Sequence, residues 1–189
     1  MVRPGAPRSC TGCRPAILRG GVTMRRVLPV IFLLAIPLAA MAQNGSGPAL
    51  VTGAELTKVM PTSYFFRGLS ASVQARNSAA LKYPDGFYVL AALVDTSGYA
   101  SDIRAKYTGL FITEKPLRLG GQTLLPGEYG MGFNAAGKFH ILDVAANELL
   151  AADAPKDTKL AHPVPLRFVV ENGEARLYLG RNAVNFTAQ

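Results

Sequence analysis

The chain has 189 residues, 20 Lys+Arg against 12 Asp+Glu and a net charge of +8, which at first suits a small basic protein with a polyanionic partner. The placement of the charges removes that reading. Arg3, Arg8, Arg14, Arg19, Arg25 and Arg26 all precede residue 43, no acidic residue does, and residues 43–189 carry only +2. That thin balance excludes the clustered basic face that nucleic-acid binding needs, and both cysteines, Cys10 and Cys13, also precede residue 43.

Residues 1–23 are rich in Gly, Pro and Arg and precede a second start, Met24. Their Cys-x-x-Cys lacks the second pair or βαβ surroundings that would make it a metal or redox motif. From Met24 the pattern is that of a secretory signal. Arg25 and Arg26 are followed by an apolar run from Val27 to Ala39, then by Ala40-Met41-Ala42, a small-x-small cleavage site. The run is short of the about 20 residues that span a bilayer and contains Pro29 and Pro37. Residues 1–42 are therefore read as extension plus cleavable signal (24–42), with export to the periplasm or beyond and no stable membrane span afterwards. The remaining 147 residues are enough for one domain with its own core. Without Cys, that domain has no disulfide, thiol nucleophile or thiolate metal site.

Residues 43–60 read as a flexible leader, and 61–189 as the folded domain. Val73, Ala75, Ala79, Leu81 and Tyr83 alternate with Gln74, Arg76, Ser78 and Lys82, the period of a half-buried strand; a helix over 70–81 is the alternative, since β-branched residues are few. Pro84-Asp85-Gly86 is a turn. The nearly unbroken apolar run Phe87–Val94 predicts a central strand covered on both faces, followed by turn formers at Asp95-Thr96-Ser97. Leu117–Leu119 runs into Gly120-Gly121, a tight hairpin turn. Gly127–Phe133 puts Tyr129, Met131 and Phe133 on one face. Asn134–Gly137 joins it to Lys138–Val144, where Phe139 and Ile141 alternate with His140 and Leu142. Residues 147–153 read as a short helix capped by Asn147, and 154–165 as a Pro-containing loop. Asn172-Gly173 between Leu166–Glu171 and Glu174–Leu179 is a strong hairpin signal; a two-residue loop pairs Phe168 with Leu177, Leu166 with Leu179 and Arg167 with Tyr178. Val184–Phe186 reads as a final edge strand. About eight short strands predict an all-β fold, a single antiparallel β-sandwich or a small barrel, with at most one short helix.

Catalytic constellations are scarce. The chain has two His, His140 and His162; a zinc site of three protein ligands would need both together with a carboxylate, and a solvated or hydrogen-bonded His is the favoured reading. Asp143, at odd spacing from His140 on a strand, falls on the opposite face. Ser97 lies in a turn without a Gly-x-Ser-x-Gly elbow. Glu114, Glu128 and Asp143 are conceivable acid/base carboxylates, but glycoside chemistry depends on a separation that sequence does not set. Gly130-x-Gly132 lies in a strand rather than opening a helix, so its glycines mark a bulge, a bend or close backbone approach and not a phosphate loop. No metal or cofactor motif is present.

Binding is the better-supported class. Tyr64, Phe65 and Phe66 are consecutive, so one must face outward, and Tyr99, Tyr107 and Phe111 surround a Gly-containing loop. The binding candidates are Tyr129, Phe133, Phe139 and His140. In a barrel, Tyr129, Met131, Phe133 and Phe139 would line a pocket for an apolar ligand.

Leu117-Arg-Leu-Gly-Gly-Gln-Thr-Leu-Leu-Pro-Gly-Glu-Tyr-Gly-Met-Gly-Phe133, with its continuation to Ile141, resembles a hairpin of uncharacterised secreted bacterial β-sandwich domains. The resemblance implies a sandwich and carries over no site residues. The expectation is an exported, non-catalytic domain binding an envelope component or another protein, with an apolar-ligand barrel and a hydrolase as the alternatives.

Overall fold

A computed structural model describes residues 47–189; the N-terminal extension, the signal segment, both cysteines and residues 43–46 lie outside them. In chain order the strands are β1 (Ala49–Val51), β2 (Ser63–Phe66), β3 (Leu69–Lys82), β4 (Tyr88–Val94), β5 (Gly109–Thr113), β6 (Leu117–Leu119), β7 (Gln122–Leu124), β8 (Gly127–Phe133), β9 (Lys138–Leu142), β10 (Glu148–Asp153), β11 (Val164–Glu171), β12 (Glu174–Gly180) and β13 (Asn182–Ala188). Two short helices accompany them, α1 (Gly53–Val59) and α2 (Ser101–Arg104). The strands form two antiparallel sheets, one ordered β1-β3-β4-β5-β8-β9-β10 with β2 added to β3, the other β11-β12-β13-β6-β7. The fold is an all-β sandwich.

The turns that set this topology follow from the sequence. Asn172 and Gly173 have φ of 53° and 82°, the left-handed pair that a two-residue hairpin matching strand twist requires. Gly120 and Gly121 do the same for β6–β7. At Gly120 a Cβ would lie 2.7 Å from the Cβ of Ala152, so the turn also depends on the missing side chain to rest against β10.

The core between the sheets is built from Leu81, Val89, Phe111, Met131, Phe139 and Ile141 on one side and Leu117, Leu119, Phe168, Leu177, Val184 and Phe186 on the other. Phe111 meets Phe139 and Phe186 edge-on at 6.2 and 6.0 Å. Full burial of each such side chain contributes about 1.5–3 kcal/mol. β4 is central, as its apolar run predicts: Val89 and Ala91 face this core, while Leu90, Ala92 and Val94 face a second cluster on the outer face of the larger sheet. That second cluster is roofed by β2, Tyr99, Tyr107 and the Leu56 and Val59 side of α1.

Several sequence expectations are corrected. Residues 70–81 are the strand their alternation predicts, but the pairing slips between Val73↔Val94 and Ser78↔Ala92. This bulge of three extra residues, an odd number, reverses the strand's faces. Val73 therefore packs on the outer cluster, whereas Ala79 and Leu81 reach the inner core. Residues 148–153 are a strand, not a helix, because Leu150, Ala152 and then Ala154 alternate into the inner core. β13 is interior rather than an edge, since β6 pairs on its far side. Within 43–60, β1 pairs with β3 and α1 follows it. Phe168↔Leu177 and Arg167↔Tyr178 hold, but a slip between Val164 and Arg167 pairs Val164 with Gly180, so the regular ladder ends before Leu166.

Candidate functional site

The binding candidates do not converge. Phe139 is fully buried in the inner core, with Phe133 tilted against it at 4.8 Å and Tyr129 half-buried at the core's margin. The Tyr129 hydroxyl donates to the Leu125 carbonyl at 2.9 Å. These rings, with Met131, fill the space that a barrel would have left open. His140 alternates to the opposite face of β9.

Around His140 the structure assembles three polar side chains from separate segments, those of Asn134, Glu148 and Lys106. The Lys138 N–H donates to Asn134 Oδ1 at 3.0 Å, which orients the Asn134 amide so that Nδ2 donates to His140 Nε2 at 2.8 Å. The imidazole proton then sits on Nδ1 and is donated to Glu148 Oε2 at 2.9 Å. The same oxygen receives the Lys106 ammonium at 3.0 Å. The Lys106 ammonium, and less strongly the His140 N–H, hold the Glu148 carboxyl below its ordinary range. Glu148 reaches this face because a slip between Glu148 and Leu150 sets Glu148 opposite Leu142 and Leu150 opposite Ile141; the residue between them, Leu149, is pushed into solvent. A general base needs a lone pair aimed at substrate. His140 is buried and both its nitrogens are engaged, so neither offers a free lone pair to a substrate.

Ser97, Glu114 and Asp143 are engaged locally. Asp95 accepts the Ser97 N–H at 3.0 Å, an Asx-turn. Glu114 accepts the Tyr88 N–H at 2.7 Å. Asp143 accepts from the N–H groups of Ala145 and Asn147 and from the Asn147 amide. His162 is exposed in the loop before β11, and among the described residues no group of three His, Cys, Asp or Glu is placed to hold a metal. Phe65 is the outward member of the aromatic triplet; Tyr64 and Phe66 are buried. Tyr99 and Tyr107 are buried too, with Tyr107 stacked on Phe66 at 3.9 Å, and Phe111 lies on the other face of the sheet.

The feature that sequence reasoning missed is a groove of about 560 Å³ where β10 approaches β12 and β13. One wall is Ala151 to Asp153 with Lys138; the other is Arg176 with Ala183 to Asn185; the loop 155–159 closes the end. That loop is anchored. The Ala183 N–H donates to the Pro155 carbonyl, the Asp157 N–H to the Arg181 carbonyl, and the Arg181 guanidinium to the carbonyls of Leu160 and Ala161. On the wall, Arg176 Nε donates to Asn185 Oδ1 at 2.7 Å and Nη1 to the Tyr178 hydroxyl at 2.9 Å. Tyr178 in turn donates to Asp157 Oδ2 at 2.9 Å. The Lys159 N–H and then the Tyr178 hydroxyl keep the Asp157 carboxyl below its usual range. Lys138 pairs with Asp153 at 2.7 Å.

Fold and site together define a β-sandwich with a saturated polar network on one face and a polar, loop-closed groove between its sheets. No family model, curated protein or solved structure matches the chain.

Proposed function

We propose that the chain is an exported, non-catalytic binding protein whose ligand occupies the groove between β10, β12 and β13. The observation that carries this reading is the groove itself: a concavity within the usual range for ligand sites, with a wall of fixed polar side chains and a closing loop tied down by its backbone. The engagement of both His140 nitrogens favours binding over hydrolysis. The signal-type segment at 24–42 and the resemblance of residues 117–141 to secreted β-sandwich domains support export.

Titrating the exported protein with envelope fragments, such as muropeptides and short oligosaccharides, should shift backbone amide resonances around Gly120, Asp153, Arg176 and Asn185. Shifts confined to other faces would overturn the assignment. Turnover of ester, peptide or glycoside substrates that is lost in Ser97→Ala or His140→Ala would establish a hydrolase instead. N-terminal sequencing should find Gln43 first; Met1 at the start of the exported product would overturn cleavage. A second reading, an apolar ligand, is favoured by a separate groove of about 510 Å³ lined by Leu50, Leu56, Leu166 and Phe168. Binding of an apolar fluorescent probe that Leu56→Asp abolishes would support it.

A further inference from the structure

We infer that the ligand of the β10–β12–β13 groove carries an oxyanion, a carboxylate or a phosphate, and that Arg176 is the residue that orients it. This deepens the proposed binding function and rests on it.

Arg176 comes from a strand whose partner supplies Asn185 directly opposite, and the guanidinium is held by two bonds, Nε to Asn185 and Nη1 to Tyr178. Its third nitrogen, Nη2, donates to no acceptor among the described residues and is not sealed from solvent. A guanidinium held by Nε and Nη1 presents its remaining N–H groups in a set direction, the geometry that matches oxyanion oxygens. Two more cations line the same groove. Lys156 and Lys159 are exposed and take part in no ion pair among the described residues.

The acidic residues cancel only part of this charge. Asp153 is paired with Lys138; Asp157, bonded only by the neutral Tyr178 hydroxyl and Lys159 N–H, keeps its charge, and Glu171 stands with Arg176 at the adjoining groove. The lining of four cations and two carboxylates leaves +2, as much as the whole of residues 43–189 carries. In a nearly balanced domain, that concentration selects for negative ligands at short range.

Calorimetric titration of the exported protein with inorganic pyrophosphate and, separately, with tri-galacturonate tests the inference and distinguishes the phosphate from the carboxylate source. At least one should bind, with an affinity that falls as salt rises from about 50 to 300 mM. Arg176→Gln should weaken it about tenfold or more, and Arg176→Lys should also weaken it, because an ammonium keeps the charge and loses the fork. Lys156→Gln/Lys159→Gln, which leaves the Asn185–Arg176–Tyr178–Asp157 chain intact, should weaken it about three- to tenfold and serves if Arg176→Gln does not fold. Salt-insensitive binding, or binding unchanged in these variants, overturns the inference. A neutral oligosaccharide such as chitotriose that shifts the groove amides when neither anion binds would overturn the anion assignment while leaving the binding function standing. If no probe shifts those amides, both fall.

Discussion

Gly132→Ala tests whether the outer layer of the larger sheet is fixed by backbone contact. A Cβ at Gly132 would sit 2.1 Å from the Lys106 carbonyl oxygen, 2.6 Å from its carbon and 3.1 Å from the Tyr107 nitrogen. Ordinary C···O contact begins near about 3.3 Å, so the Lys106–Tyr107 peptide must withdraw by roughly 1 Å. It is held by the Tyr107 N–H to the Ile103 carbonyl and, one residue on, by the Thr108 N–H to the Met131 carbonyl. Withdrawal also drags the Tyr107 ring off Phe66, on which it is stacked at 3.9 Å and 14°. Overpacking of this kind costs about 1–3 kcal/mol, and a disrupted aromatic pair adds about 0.5–1.5 kcal/mol. The expected loss is therefore about 3 kcal/mol in urea unfolding, a large part of a typical domain's 5–15 kcal/mol, with a fall of roughly 10 °C in Tm. Gly98→Ala is the matched control: the nearest atom to its Cβ would be a Leu69 methyl at 3.8 Å, and stability should stay within about 0.5 kcal/mol. A Gly132→Ala loss below about 1 kcal/mol would refute the argument, showing that the α2–β5 connection yields freely.

Other perturbations test the polar arrangement. The Tyr64 hydroxyl is buried without a partner, so Tyr64→Phe should raise stability by about 1 kcal/mol in thermal unfolding; a loss of that size would reveal a hydrogen bond. Because the Glu148 carboxyl is depressed below its ordinary value of 4.5, its contribution is present above that pH and is lost as pH falls through the lowered value. Glu148→Gln should flatten the acid limb of the stability–pH curve below about pH 5, and an unchanged acid limb would deny the Lys106–Glu148–His140 linkage. Ala146 has φ of 70°, a conformation costing an L-residue about 1–2 kcal/mol, of which Gly loses part again to its unfolded-state freedom. Ala146→Gly should therefore gain about 0.5 kcal/mol, and destabilisation would place the value of Ala146 in its packing on the outer cluster.

The legible parts of the fold are those where local chemistry and global structure agree. The apolar run ending at Val94 becomes the central strand Tyr88–Val94, although Phe87 at its start lies outside the strand and is exposed, and Asn172-Gly173 and Gly120-Gly121 are near-obligatory hairpin turns whose strands then fall into register. The misread parts are those where local composition is neutral. An Ala- and Leu-rich stretch at 148–153 satisfies helix propensity, and only pairing with β9 turns its alternation into a strand. The bulge in β3 is marked only by Asn77 and Ser78, with no Gly or Pro, yet its odd length reverses which residues face the core. β13 reads as an edge because edge or centre is decided by whether β6, more than 60 residues earlier, returns to pair with it.

The groove was hidden for a related reason. His140 attracts attention by residue type, but its nitrogens are consumed by Asn134 and Glu148, and Glu148 shares its face only through an irregularity in pairing. Arg176 reads as one of many charged residues alternating outward on a hairpin. Its significance depends on Asn185, nine residues away across a turn, and on a loop that Arg181 ties back against the sheet. A side chain offers chemistry to a ligand only with the donors and lone pairs the fold leaves unspent. His140 has none left for a ligand, whereas Arg176 keeps Nη2 and is held in place to present it.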